Sequence, residues 1–141
     1  MKKRTVIGAL GVIKKGNKFL MAFRHEPGFP KIHHKWEFPG GEIEFEEKPE
    51  QAVVREVKEE VGVEVEVIYL LPYVVTHFWK IKKETIKVIL LSYLCKIIKG
   101  EPNPANKEVE KIKWFSLNEI KPNECLPSAK EVLESVLKLE M

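Results

Sequence analysis

The apolar positions of the chain change their period several times, and each change marks an element. Thr5–Ile13 and Lys18–Arg24 are β-rich runs separated by Lys15-Gly16-Asn17, which predicts a tight hairpin. A polar, proline-bearing stretch, HEPGFPKIHHK, follows and leads into Trp36-Glu37-Phe38-Pro39-Gly40-Gly41; the paired glycines and the prolines predict loop. From Gln51 to Val61 there is no breaker, Pro49 suits a first helical turn, and Gly62 stands where a helix C-terminus takes a left-handed residue, so a helix is predicted from about Pro49 to Val61. Downstream, Glu64–Leu71, Val74–Phe78, Thr85–Ile98 and Ile112–Phe115 are β-branched or aromatic runs, broken by Pro72, Lys82-Lys83 and the GEPNPANKE stretch. At the end, Ser128 and Glu131 have capping-box spacing ahead of Val132, Leu133, Val136 and Leu137, which predicts an amphipathic helix capped by Ser128.

Composition narrows the class. A chain of 141 residues with 44% hydrophobic and 32% charged content and no repeat is expected to form one globular domain spanning 1–141. The net charge is +3, yet the basic residues are scattered, which argues against a nucleic-acid polymer as partner. Cys95 and Cys125 lack any Cys-x-x-Cys partner and read as inert thiols in a reducing compartment, so a cytoplasmic location is expected. The basic head and short apolar run at the start stop at Lys14-Lys15 and read as a strand rather than a leader. No apolar run of roughly twenty residues is present to cross a membrane. Glutamine occurs only at position 51 amid abundant Glu and Lys, a bias associated with heat-adapted proteins.

The unusual chemistry lies in FPGGEIEFEEKPEQAVVREVKEEVGV, residues 38–63. At about 100° per residue, Glu56, Glu59 and Glu60 share one narrow helical face, while Val53, Val54, Val57 and Val61 form the adjoining arc. The acids therefore border the core. Like charges at i,i+3 and i,i+4 cost about 0.2–0.5 kcal/mol each, and two of them crowd the negative end of the helix. Arg55 can orient Glu59 at i,i+4 but cannot neutralise the set. A divalent cation can, and an all-oxygen donor set suits Mg²⁺, with Mn²⁺ as a substitute.

At these residues the chain resembles the Nudix family. Gly41, five residues, Glu47, seven residues, then Arg55-Glu56-Val57-Lys58-Glu59-Glu60-Val61-Gly62-Val63 matches G-x5-E-x7-R-E-U-x-E-E-x-G-U at every specified position. The likeness covers most of the chain and is strongest to the MutT-type nucleoside triphosphate pyrophosphohydrolases, although Glu46 stands where they often carry glycine. The resemblance implies an α/β (α+β) fold, an α/β/α sandwich with a mixed central sheet. It implies metal ligation by Glu56, Glu59, Glu60 and the Gly40 carbonyl, with Glu47 supporting the site and Arg55 orienting glutamates. It further implies a loop acid, Glu108 or its neighbour Glu110, as an additional ligand; Glu108 is preferred, six residues before Trp114. For the proton of the attacking water, Glu56 is one candidate and the loop acid the other.

A base pocket needs apolar walls and a few polar readers. Arg24, Phe38, Phe78 and Leu126-Pro127 are the candidates, and the guanine-reading position of MutT-type enzymes falls on Ser128 or Ala129. His33 and His34 read as surface loop residues, and His25 and His77 lack a ligand partner at helical spacing. The leading expectation is Mg²⁺-dependent cleavage of a nucleoside triphosphate to monophosphate and pyrophosphate, by a monomer or homodimer acting on a small nucleotide. The alternatives are hydrolysis of ADP-ribose or another nucleoside diphosphate derivative, and a non-catalytic nucleotide sensor, which the intact glutamates disfavour.

Overall fold

In the computed structural model, which describes residues 1–140, eight strands form one mixed sheet with a helix on each face. The strands are β1 (Lys2–Lys15), β2 (Lys18–Arg24), β3 (Trp36–Glu37), β4 (Gly40–Glu42), β5 (Glu64–Leu70), β6 (Val75–Ile81), β7 (Glu84–Lys99) and β8 (Val109–Phe115); the helices are α1 (Pro49–Val61) and α2 (Ala129–Leu139). β1 turns tightly into β2, with Lys15 opposite Lys18. It also runs parallel to β7 from Lys2↔Glu84 to Ile13↔Cys95 and antiparallel to β4. The two ends of β7 carry β6 and β5, and β2 carries β3 and β8.

Period-two alternation in β1 divides the core. Ala9 and Ile13 pack on the face of α1 with Val53, Val57 and Val61, whereas Val12 faces α2 with Phe19, Phe38, Val132, Leu133 and Val136. α1 begins and ends at the expected residues. Gln51 Oε1 accepts the Lys48 N–H at 2.8 Å, and Gly62 closes the helix at φ 73° with its N–H on the Lys58 carbonyl, a conformation open to glycine at little cost.

Three local expectations are corrected. Trp36–Gly41 is not simply loop: it carries β3 and the start of β4, strands of two and three residues that are too short to show alternation. Ser128 precedes α2 but sits at φ 72° and makes no side-chain cap bond; a cap hydroxyl reaches the first turn from an extended backbone, which this residue lacks. Several strands also run further than their β-rich cores, β1 and β7 most of all, because Lys and Glu at their ends still join the ladder. Cys95 and Cys125 are buried in the two opposite core layers, and burial pushes the Cys95 thiol up to about 12. Among the described residues no helix is long and apolar enough to cross a membrane.

Candidate active site

Arg55, near the middle of α1, organises the acids around it. Its Nε and Nη2 donate to the two Glu47 oxygens at 2.7 and 2.9 Å, Nη1 donates to Glu56 Oε1 at 2.9 Å, and Nη2 also reaches the Glu42 carbonyl at 3.2 Å. The bond to Glu59, the i,i+4 partner expected from the sequence, is the long one at 3.4 Å. Glu47 additionally accepts the Glu44 N–H at 3.0 Å. Arg55 and that N–H together hold the Glu47 carboxyl at about 2, so it is a fixed anion that positions Arg55, not a group free to move protons.

The three acids of the helix face differ in exposure. The Glu59 side chain is 55% exposed and that of Glu56 17%, while Glu60 is buried at 8%. Burial, then the charges of Glu37 and Glu56, push the Glu60 carboxyl up to about 10. Gly41, the middle residue of β4, lies so close to Glu56 that a Cβ there would stand 2.7 Å from its carboxyl carbon. Gly40, one residue earlier, pairs with Leu10 in the sheet, which fixes its peptide at the same edge.

Glu37 was not anticipated. It lies on β3 between Trp36 and Phe38, accepts from Arg24 Nη1 at 3.0 Å, and burial raises its pKa. The signal available was an acid between two aromatics, a pattern that suits a buried carboxylate facing away from the apolar layer. Arg24, expected to touch nucleotide, is instead committed to carboxylates: Nη1 to Glu37, Nη2 to Glu26 at 2.9 Å and to Glu108 at 3.5 Å. Burial works against its charge, but those acids more than offset the effect and raise its pKa. Glu108 is thereby drawn toward the acidic centre. Glu110 is not, because it is bound by His34 and His25.

A solvated acidic surface does not describe this arrangement. Glu37, Glu56 and Glu60 are largely withdrawn from water, and taking ions from water costs several kcal/mol each without a partner. Two guanidiniums stand among Glu26, Glu37, Glu47, Glu56, Glu59 and Glu108 and leave the set anionic. A hard divalent cation fits the oxygen donors that remain.

Beside Glu37 opens a narrow cavity of about 50 Å³ lined by Leu10, Trp36, Phe38, Val75, His77, Leu90, Leu126, Pro127, Ala129 and Val132. A roomier cleft of about 590 Å³ lies between the β1–β2 turn and α2, but none of the acidic cluster lines it. Phe38 and Leu126 line the narrow cavity; Phe78 does not, since it is 63% exposed and points with Lys3, Arg4 and Thr85 to the other side of β6. Ala129 rather than Ser128 reaches the cavity wall. His77 also lines it, with Nδ1 buried and unpartnered.

The family model for the NUDIX domain matches residues 2–136. The chain belongs to the Nudix family. This Nudix hydrolase is 31% identical over 139 residues to the 8-oxo-dGTP diphosphatase of Escherichia coli, covering 99% of the chain and 100% of that protein. It is 34% identical over 99 residues to the NAD-capped RNA hydrolase NudC of Pseudomonas aeruginosa, there spanning 70% of the chain and 32% of the relative. Its fold matches the crystal structure of the MutT NUDIX hydrolase from Burkholderia pseudomallei with a TM-score of 0.80 at 28% identity, over 94% of the chain and 98% of that structure. The α/β sandwich and the MutT-like affiliation that the resemblance implies are thus borne out.

Proposed function

We propose that this Nudix hydrolase converts a nucleoside triphosphate to the monophosphate and pyrophosphate with Mg²⁺ as its ion. The observation that carries the reading is the contact between two unlike environments. Glu37 belongs both to the acidic cluster and to the apolar cavity wall, so a ligand with its base in the cavity extends its phosphates over α1. The full-length likeness to an 8-oxo-dGTP diphosphatase supports the triphosphate class.

Glu56, Glu59 and Glu60, with the Gly40 carbonyl and Glu108, would hold the ion, which supplies charge neutralisation on phosphate oxygens and a water of lowered pKa. Arg55 keeps Glu56 in place and is itself braced by Glu47. Glu59 and Glu108, the more exposed acids, are the ones able to reach a water or a phosphate entering from solvent. Arg24 works against the rise that burial imposes on the Glu37 carboxyl. On the base side, the cavity is narrower than the roughly 300–1,000 Å³ of ordinary ligand pockets, so half-exposed Leu126 and exposed Pro127 must yield on binding. Its uncommitted polar reader is His77 Nδ1.

The deciding experiment is a nucleotide panel incubated with Mg²⁺ and resolved chromatographically. Monophosphate plus pyrophosphate from triphosphates is expected. Release of diphosphate and orthophosphate, or turnover confined to ADP-ribose, would overturn the proposal.

A further inference from the structure

A second cluster of metal-ligating side chains lies in the loop that follows Arg24. The loop after β2 brings His25, His33 and His34 together so that one ring nitrogen of each lies within 4.8 Å of the others. Glu110 closes the group, with Oε1 at 3.0 Å from His34 Nε2 and 3.4 Å from His25 Nδ1. Its direction has a backbone cause. In the β2–β8 ladder Arg24 pairs with Val109 and Phe23 with Lys111, leaving Glu110 as the extra residue of a β-bulge, a device that re-aims a side chain. His34 is held against it by stacking on Phe23, with ring centroids 4.9 Å apart, and by a left-handed backbone at φ 59°.

We propose that His25, His34 and Glu110, joined by His33, bind a transition-metal ion of the Zn²⁺ class, at a site separate from the carboxylates of α1. Bonds of about 2.0–2.2 Å from a tetrahedral zinc to nitrogen and oxygen place neighbouring donors roughly 3.3–3.6 Å apart. The two histidine–Glu110 spacings, 3.0 and 3.4 Å, already approximate two edges of that tetrahedron. Imidazole nitrogens with one carboxylate select zinc, nickel or copper over magnesium, so the two sites sort their ions by donor chemistry. Ligation would replace the contacts that Glu110 makes with the two rings by bonds to the ion. His33 enters by exchange, because its Nδ1 accepts the Glu26 N–H at 2.9 Å and must release it to ligate through that nitrogen. Burial and the neighbouring His34 and His25 hold the His33 pKa below the ordinary histidine value, which favours the neutral, ligating form. The bound ion would staple the β2–β3 loop to the start of β8, beside Glu108 and Arg24.

The test is titration of the metal-stripped full chain with Zn²⁺, and separately with Co²⁺, in excess Mg²⁺ so that the α1 carboxylates are already served. One equivalent of Zn²⁺ is expected to bind and raise the melting temperature. Co²⁺ is expected to develop the intense visible bands of a tetrahedral ion, and the Glu26 amide resonance to shift as His33 changes partner. Glu110→Gln and His34→Ala should each weaken binding at least tenfold, and His33→Ala less. Glu59→Gln, which removes an α1 carboxylate, should bind Zn²⁺ as the unaltered chain does; Glu110→Gln leaves the loop sequence intact, should His34→Ala misfold. Unchanged stoichiometry and affinity in both Glu110→Gln and His34→Ala, or loss of binding in Glu59→Gln, would overturn the proposal.

Discussion

Gly41→Ala separates the placing of Glu56 from the stability of the fold. The new Cβ would stand 2.7 Å from both the carboxyl carbon and Oε1 of Glu56 and 3.0 Å from Oε2, against about 3.5–4.0 Å for an ordinary contact. The carboxylate must therefore retreat by roughly 0.8–1.3 Å. Because the obstacle is the end of a flexible side chain, the change costs stability only as an off-rotamer glutamate, about 0.5–1.5 kcal/mol, or a fall in melting temperature of roughly 2–6 °C. The catalytic cost is larger. Metal–ligand distances tolerate about 0.2 Å, and a displacement near 1 Å can lower turnover by about 100-fold. Its shift also strains the 2.9 Å bond to Arg55. Steady-state hydrolysis and thermal melting, measured side by side, decide the matter. Turnover within about threefold of the unaltered enzyme would refute the idea that Glu56 must stand where it does. Gly40→Ala offers the contrast: its Cβ would lie 2.2 Å from the Ala9 carbonyl oxygen, a main-chain clash that should cost the fold itself.

Glu59→Gln should fold, melt at the same or a higher temperature because like charge at the end of α1 is relieved, and lose nearly all turnover; full activity at saturating Mg²⁺ would refute its role. In EDTA, stability should fall as pH rises from about 5 to 9: the folded Glu60 carboxyl stays protonated toward about 10 while the unfolded one ionises near 4.5, so the folded state holds more protons throughout that window. Denaturant midpoints at several pH values check this, Mg²⁺ should flatten the trend, and a midpoint that rises with pH in EDTA would refute it. Glu47, held near 2 by Arg55, contributes the opposite slope only below about pH 4.5. Selectivity between 8-oxo-dGTP and dGTP should be under about tenfold in kcat/KM, roughly 1.4 kcal/mol, since a neutral imidazole at His77 can donate in one tautomer and accept in the other; a thousandfold preference in side-by-side kinetics would show a different reader.

Legibility in the sequence followed the range of the forces concerned. α1 was readable to the residue because Pro49, the valine stripe and Gly62 act within a few turns, and the glutamate face follows from helical period alone. The acidic cluster was readable only in half. Glu37 comes beside Arg24 through the β2–β3 pairing, and no local period signals that. Arg24, a candidate nucleotide contact in the sequence, became the partner of three acids by three routes: Glu37 across that pairing, Glu26 two residues on, and Glu108 at the start of the β2–β8 ladder. Phe78 failed as a pocket wall because strand parity, decided by where β6 begins, sends it to the opposite side from His77. The histidine cluster was invisible since its fourth member arrives from β8 through a bulge.

The long parallel pairing of β1 with β7 bears on the order in which the molecule comes into being. Every register pair joins positions 82 apart, from 2 with 84 to 13 with 95, and loop closure over such a span precedes any reward from the ladder. A chain emerging from the ribosome thus carries β1, the glutamate loop and α1 for the time taken to make most of its length, with the central strand lacking its main neighbour. The hydrolytic centre takes its helix acids from the first half, but it is expected to become competent only once β7, Glu108 and the cavity residues up to Val132 have emerged, so that synthesis itself delays the onset of catalysis.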